Sequence, residues 1–210
     1  NFGLFPNAQR SVIYNAYAPS STTDCRAKDK VTFGFIGRIA PTKGVGVLID
    51  AAKLLNQTDP NGAFQVLIAG DGDQEYVSQL KVRAAGAPIY FLGRVKPEDL
   101  YNRCDWTVLP SIWDEPLARV TFESFAHGVP VIGSQTGGTP ELVAHNCTGK
   151  LYKAALDPSA LATEMRAALQ ETQQYSALRV ACMNLAQDFL PLRTFERYMT
   201  TYASVTAGER

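Results

Sequence analysis

The stretch VTFGFIGRIAPTKGVGVLIDAAKLL (31–55) predicts a β-strand followed directly by a helix. Residues 31–36 form a short apolar run, rich in β-branched and aromatic side chains, that stops at Gly37. Positions 44–57 then have helical periodicity, and one face would carry Val47, Leu48, Ala51, Ala52, Leu54 and Leu55. A buried strand that leads into an amphipathic helix is the repeating unit of a parallel sheet.

The same alternation continues along the chain. Further strands are predicted at 64–70, 89–93, 106–110, 130–134 and 149–153. Further helices are predicted at 73–85, 97–104, 118–127, 157–171, 174–188 and 192–205, with a short Pro-led helix before Val143. Such alternation predicts an α/β fold with a doubly wound, Rossmann-like parallel sheet. Ligands of such sheets bind beyond the carboxyl ends of the strands.

Composition excludes several classes of protein. The 210 residues carry 20 basic and 20 acidic side chains, so nothing indicates binding to nucleic acid or to an anionic membrane. No run of eighteen apolar residues predicts a membrane span. The four cysteines, Cys25, Cys104, Cys147 and Cys182, are too scattered for a disulfide framework or a zinc site. Reduced thiols and a cytoplasmic setting are expected, with Cys104 and Cys182 as core residues.

Motifs with chemical potential follow the first two strands. In GRIAPTKG (37–44), Gly37 allows a sharp turn, and Arg38 and Lys43 are cations beside a helix N-terminus. They could receive a diphosphate or could be solvated loop charges. AGDGD (69–73) does not continue as GxGxxG, since position 75 is glutamate, which disfavours a nicotinamide enzyme. Asp71 and Asp73 are expected to cap the next helix.

The third and fifth strands are followed by glycine-containing turns. GRVKPEDL (93–100) begins at the end of the third strand, and its Val95 backbone could contact a base or sugar. Alternatively, the segment could be only a turn and a helix cap. In SQTGGTPELV (134–143), Gly137 and Gly138 could bring amides close to a ligand or could form an ordinary turn. Both alternatives stay open from these residues alone.

The stretch DEPLARVTFE (114–123) holds two glutamates. Glu115 precedes Pro116 and therefore lies in a loop, whereas a helix is predicted to begin near Leu117 or Ala118 and to contain Glu123. Two carboxylates at the active edge of a sheet suit a ligand with vicinal hydroxyls. The alternatives are a helix cap for Glu115 and a surface or buried ion pair for Glu123.

The two histidines, His127 and His145, are each predicted to end a helix, where a cation favours the helix dipole. The sequence has no Ser-His-Asp order, which argues against a hydrolase triad. It also has no spacing that is typical of metal ligands.

The order of these motifs resembles the retaining family-4 glycosyltransferases over roughly residues 10–155. The resemblance is carried by GRIAPTKGVGVLIDA, LIAGDGD, FLGRV and LPSIWDEPLARVTFESFAHGVPVIGSQTGGTPELV, and Glu115 and Glu123 match its Glu-x7-Glu motif. It implies the GT-B architecture and, for this chain, the C-terminal half that binds a nucleotide-diphosphate-sugar. It also implies sugar transfer with retention, as in polysaccharide biosynthesis, by an enzyme that needs no metal or resident cofactor.

The resemblance also implies roles for individual residues. The catalytic residues would be Glu115, Arg38 and Lys43, with Gly37 in the same loop; the two cations would hold the donor diphosphate, and Glu115 would bind the transferred sugar. Glu123 would bind the ribose, and the Val95 backbone would contact the base. Amides near Leu117, Ala118 and Arg119 would reach the donor sugar and phosphates. The family usually has glycine where Ala118 stands, so a methyl group there narrows the approach of the donor.

The resemblance divides the chain into three parts. Residues 1–30 would be an inter-domain junction and lead-in, 31–190 the donor-binding domain, and 191–210 a helix that crosses back to a missing N-terminal domain. An acceptor glycan or lipid would bind through that domain, so this chain alone would bind donor and transfer little or no sugar. The full enzyme would be cytoplasmic, at most peripheral to the membrane. Two alternatives remain: a nucleotide-sugar binding module without transfer, and a GT-B-type sugar-nucleotide epimerase.

Overall fold

The computed structural model describes residues 11–17, 30–59, 62–171 and 173–207. Its centre is a sheet of six strands in the order β3-β2-β1-β4-β5-β6, and every pairing is parallel. The strands are β1 (Val31–Ile36), β2 (Phe64–Ala69), β3 (Ile89–Gly93), β4 (Trp106–Leu109), β5 (Val131–Ser134) and β6 (Gly149–Tyr152). The predicted doubly wound fold is confirmed, and the strand order changes direction between β1 and β4.

Eight helices connect and cover the strands within the described residues. They are α1 (Val45–Thr58), α2 (Gln74–Arg83), α3 (Pro97–Tyr101), α4 (Arg119–Ala126), α5 (Thr139–Leu142), α6 (Pro158–Gln170), α7 (Tyr175–Ala186) and α8 (Pro191–Ala207). Short 3-10 turns occupy Pro41–Lys43 and Gln187–Phe189. None of the described helices combines the length and the apolar character that a membrane span requires.

Alternate residues of the strands supply two different sides of the core. On β2, Phe64, Val66 and Ile68 belong to the cluster under α1 and α6. Leu67 and Ala69 belong to a smaller cluster with α3 on the opposite face. A third cluster joins β4 and β5 to α4 and α7. Because side chains alternate along a strand, coverage of both faces buries consecutive residues, as throughout β4 and β5, whereas the edge strand β3 has no fully buried residue.

The predicted apolar face of α1 is only partly right. Leu48, Ala51, Ala52 and Leu55 are buried, but Leu54 is 37% exposed, and Val45 and Ile49 are buried in addition. Helix α1 packs against both the sheet and α6. Its buried face is therefore broad and includes Val45 and Ile49, which the predicted face did not contain.

The cysteine and histidine predictions have mixed outcomes. Cys104 and Cys182 are buried as expected, Cys147 is exposed, and Cys25 lies outside the described residues. His127 does follow the last residue of α4. The prediction for His145 is wrong, since α5 ends at Leu142 and His145 instead bridges to Gly149, with its Nδ1 accepting from the Leu151 amide at 3.0 Å.

Most of the predicted lead-in, 1–30, lies outside the described residues. Within 11–17 the chain has no regular structure but is attached to the domain. The Tyr17 amide donates to the Phe189 carbonyl at 2.8 Å, and the Tyr14 ring packs on Phe122 and Phe189. Residues 11–17 therefore lie against α4 and the 3-10 turn that follows α7.

Candidate donor-binding site

Loops after β1, β2 and β3 enclose a cavity of about 430 Å³ at the carboxyl edge of the sheet. The cavity is lined by Ile36, Gly37, Arg38, Gly70, Asp71, Gly72, Arg94 and Val95. Three residues that the sequence singled out, Gly37, Arg38 and Val95, thus come together. The loops after β1 and β2 can approach this closely because position 70 is glycine. A Cβ at Gly70 would be 1.8 Å from the Gly37 carbonyl oxygen, so a residue with a side chain would not fit.

The two aspartates of AGDGD have different roles. Asp73 is the N-cap of α2, as predicted, and its carboxylate accepts from the Tyr76 amide at 2.9 Å. The prediction that Asp71 caps the same helix is wrong. Asp71 forms an ion pair with Arg94 at 2.6 Å, and both residues line the cavity, although neither was proposed as part of a site.

A second group of residues surrounds Lys43 and Glu115. Lys43 Nζ donates to Glu115 Oε2 at 2.6 Å, and the Ser111 hydroxyl lies 3.4 Å from the same oxygen. The side chains of Lys43 and Glu115 are 25% and 20% exposed. The Lys43 ammonium also lies 5.8 Å from the centre of the Trp113 ring. The sequence predicted both charged residues at this edge, but did not predict that they pair.

Backbone contacts between loops bring Lys43 to Glu115. The Ile112 amide donates to the Thr42 carbonyl at 3.0 Å, which joins the loop after β4 to the loop after β1. Gly44, at φ +68°, separates the 3-10 turn from α1, and a Cβ there would be 1.7 Å from the Pro110 carbonyl oxygen. The pair is thus fixed by contacts that are distant in sequence.

The Gly137-Gly138 turn supports the Glu115 loop from the other side. The Gly138 amide donates to the Glu115 carbonyl at 2.8 Å, and the Gly137 amide donates to an Asp114 carboxylate oxygen at 3.0 Å. A Cβ on Gly137 would lie 2.0 Å from the Glu115 carbonyl oxygen. Of the two alternatives, the structure supports a turn that serves the neighbouring loop, since both amides are already bonded there.

Glu123 occupies a more enclosed position on α4. Its Oε2 accepts from the Tyr101 hydroxyl at 3.2 Å, and its Oε1 lies 3.4 Å from the Arg119 guanidinium. The Glu123 side chain is 12% exposed, and Tyr101 is 2% exposed. Burial and the adjacent Glu123 carboxylate raise the pKa of Tyr101 well above its ordinary value, so the phenol stays protonated and donates.

The start of α4 agrees with the prediction to within two residues. Arg119 is its first residue and Ala118 its N-cap, with no side-chain hydrogen bond to the cap. Ala118 has φ −76° and ψ 118°, is 8% exposed, and packs in the cluster that contains Leu109 and Phe122. Leu117 is half-buried against the same cluster, and Arg119 is exposed. The alanine therefore occupies this position without backbone strain.

Tyr101 is another residue that sequence reasoning missed. The pattern PEDLYNRC predicted a short helix but gave no reason to separate its tyrosine from a core residue. In the structure the Tyr101 ring stacks on His127, with ring centres 5.1 Å apart and planes at 24°. His127 Nε2 lies 3.4 Å from the Tyr17 hydroxyl, and burial lowers the pKa of His127. Within the described residues there is no group of three or more side chains that could hold a metal ion.

Comparison with known protein families gives a match over most of the chain. The family model "Glycosyl transferases group 1" matches residues 25–182. The putative glycosyltransferase YtcC of Bacillus subtilis is 30% identical over 190 residues, which cover 85% of this chain and 46% of the relative. The D-inositol 3-phosphate glycosyltransferase of Corynebacterium efficiens is 30% identical over 184 residues, covering 83% of this chain and 43% of the relative.

A solved structure gives the same result in three dimensions. The crystal structure of Anabaena HepE in complex with UDP-glucose is similar with a TM-score of 0.74 and 28% identity, over 84% of this chain and 49% of HepE. This chain therefore spans about half the length of the relatives that it matches.

Proposed function

Because this chain belongs to the glycosyl transferases group 1 family, we propose that it is the donor-binding domain of a retaining family-4 glycosyltransferase. The substrate would be a nucleotide-diphosphate-sugar. The observation that carries the proposal is the separate placement of the two carboxylates. Glu115 lies in a loop beside a lysine, and Glu123 lies eight positions later on the helix that this loop enters.

The geometry suits one carboxylate for each sugar of the donor. Lys43 and Arg38 would bind the diphosphate, and Glu115, adjacent to Lys43, would accept hydrogen bonds from the transferred sugar. Glu123 would accept from the ribose hydroxyls. The base would enter the cavity after β1–β3 and meet the Val95 backbone. Amides of Leu117, Ala118 and Arg119 at the start of α4 would complete the contacts to sugar and phosphate.

The Lys43–Glu115 pair suggests how the cation is held before the donor arrives. Lys43 is already directed to this edge by its bond to Glu115, so little reorganisation is needed when a diphosphate competes for it. During transfer, negative charge grows on the departing phosphate oxygen. Lys43 and Arg38 would stabilise that charge by preorganised electrostatics, which is the role a metal ion has in other transferases. In a front-face reaction the same oxygen would receive the acceptor proton.

Helix α8 supports the proposal that a further domain completes the enzyme. The helix exposes Leu192, Phe195, Tyr198, Met199, Tyr202 and Val205. Exposed apolar patches of this kind commonly mark an interface. We propose that this surface contacts an N-terminal domain that binds the acceptor. Accordingly we expect this chain to bind donor but to transfer little or no sugar without that domain.

The test is calorimetric titration of the chain with UDP, GDP and ADP. UDP is the first probe because the HepE complex holds UDP-glucose. Binding of one diphosphate by the wild-type chain, lost in Arg38→Ala/Lys43→Ala, is the expected result. The matched control is Lys53→Ala/Arg166→Ala, which removes the same charge from α1 and α6 and should bind normally. Failure to bind any of the three would refute the proposed function.

A further inference from the structure

Tyr101 contacts the more enclosed of the two carboxylates, and its position has features of a support. The phenol is almost fully buried, and its hydroxyl donates to Glu123 Oε2 at 3.2 Å. Helix α3, which ends at Tyr101, and helix α4, which carries Glu123, are joined through this bond. An ordinary core tyrosine would satisfy its hydroxyl equally well with a backbone carbonyl. Here the acceptor is instead the carboxylate assigned to the ribose.

The ring of Tyr101 is itself held in place. His127, at the end of α4, stacks on it at 5.1 Å, and the Tyr17 hydroxyl lies 3.4 Å from His127 Nε2. The phenol is therefore fixed at its ring as well as at its hydroxyl. A hydrogen-bond donor that is held in one orientation can fix the rotamer of a glutamate, whose side chain would otherwise rotate about three torsions.

The bonds to Glu123 still leave acceptor capacity. An ionised carboxylate has about four lone-pair sites. Tyr101 occupies one site on Oε2 and Arg119 approaches Oε1, so each oxygen can still accept from a ligand hydroxyl. The two contacts are unequal, because the Tyr101 side chain is buried whereas that of Arg119 is 67% exposed. The buried partner is the one that can define the geometry.

We propose that Tyr101 is a positioning residue that orients Glu123 to accept hydrogen bonds from the vicinal hydroxyls of the donor ribose. This inference rests on the proposed function and adds a specificity determinant to it. Without the phenol hydroxyl, Glu123 keeps its charge but samples more than one rotamer. Recognition of the ribose hydroxyls would then weaken, while contacts to the base and diphosphate would stay intact.

The experiment measures the preference for ribose hydroxyls. The chain is titrated with UDP, 2′-deoxy-UDP and 3′-deoxy-UDP, or with the corresponding GDP or ADP set if that base is the one bound. Wild type should prefer the full ribose by about tenfold over at least one deoxy analogue. Tyr101→Phe, which keeps the ring and its stacking, should bind UDP about 2- to 10-fold more weakly and the deoxy analogue almost as wild type does.

Two further variants separate positioning from a general loss of structure. In a Glu123→Gln background, Tyr101→Phe should have no additional effect on the preference, since the two residues act as one unit. Tyr90→Phe removes an exposed phenol hydroxyl from β3 and should leave the preference unchanged.

The outcomes distinguish the inference from the proposed function. If Tyr101→Phe keeps the full preference for ribose, Tyr101 is only a structural residue and the inference is wrong, while the donor site stands. If wild type binds UDP but does not distinguish any deoxy analogue, Glu123 does not bind ribose and the inference is also overturned. If the chain binds none of the three diphosphates, the proposed function fails and the inference fails with it.

Discussion

Glu115 and Glu123 carry the same carboxylate eight positions apart, yet the structure holds them by different means. Glu115 lies in a loop, 20% exposed at its side chain, and depends on contacts with the loops after β1 and β5. Glu123 lies on a helix, 12% exposed, and depends on a buried phenol. One site is formed by backbone packing between loops, and the other by a side chain on a regular element.

This difference has a functional consequence. The position of Glu115 depends on contacts between loops, and on the proposed assignment a diphosphate would also attract its partner Lys43. Glu123 is fixed before any ligand arrives. On the proposed assignment, a donor would meet a ribose carboxylate held by a buried phenol and a sugar carboxylate held by loop contacts, which makes the Glu115 part the more adjustable of the two.

The largest effect is expected from adding one methyl group at Gly137. At φ +51° the Cβ of alanine would lie 2.0 Å from the Glu115 carbonyl oxygen, so Gly137→Ala combines backbone strain with a clash. Gly86→Ala is the matched control, because Gly86 has φ +80° but open space around its Cβ. Strain alone should lower the free energy of unfolding by about 1–2 kcal/mol in the control. The clash should add about 1–3 kcal/mol at Gly137, measured by urea unfolding.

The same Gly137→Ala variant sharpens the comparison if it is titrated while folded. Affinity for UDP-glucose should fall more than affinity for UDP, because only the Glu115 loop is displaced. Equal loss for both ligands would contradict the idea that the two carboxylates are held independently.

Removing each carboxylate in turn should separate the two parts of the donor. Glu123→Ala should weaken UDP binding by about 1.5–3 kcal/mol, roughly ten- to a hundredfold, because a charged hydrogen-bond acceptor for the ribose is lost. Glu115→Ala should weaken UDP-glucose but spare UDP, since Glu115 is assigned to the transferred sugar and UDP lacks that sugar. Calorimetric titration measures all four affinities. The division of roles is refuted if both variants weaken UDP equally.

The sequence predicted the fold more completely than the site. Six apolar runs alternating with helices predicted the parallel sheet. A strand that is buried on both faces is a nearly continuous apolar run, whatever its place in the order of the sheet. The buried face of α1 was only partly predicted, since Leu54 is exposed and Ile49 is not. The buried face of α1 depends on where α6 packs against it, and the periodicity of the α1 sequence does not predict the position of α6.

The site was predicted to the extent that it depends on neighbouring residues. Pro116 required Glu115 to lie in a loop, which the structure confirms, and α4 begins within two residues of the predicted start. The Lys43–Glu115 pair and the Asp71–Arg94 pair were missed because residues 72 and 23 positions apart meet only after the sheet forms. Tyr101 was missed because nothing local distinguishes a tyrosine that supports a carboxylate from one that fills a core.

A smaller effect is expected from the Lys43–Glu115 ion pair on stability. Both side chains retain some exposure, so the coupling between Lys43→Met and Glu115→Gln in urea unfolding should be under about 1 kcal/mol. It should shrink further in high salt. The pair Lys150–Glu171, whose lysine is 5% exposed, is the comparison and should couple more strongly. Coupling as large as that of the buried pair would mean that the Glu115 loop is a stability element rather than an adjustable one.

The smallest effect is expected from restoring glycine at Ala118. The methyl group packs in the core cluster, and the residue has an ordinary φ of −76°, so Ala118→Gly should change UDP-glucose affinity by less than about threefold. Loss of one buried methyl costs about 0.8 kcal/mol, and the better N-cap propensity of glycine offsets part of that. Ala126→Gly, at the other end of α4, controls for glycine in the same helix. A tenfold gain in donor affinity would contradict this assignment, because it would mean that the methyl reaches the donor, and the start of α4 would then belong with Glu115 on the adjustable side of the site.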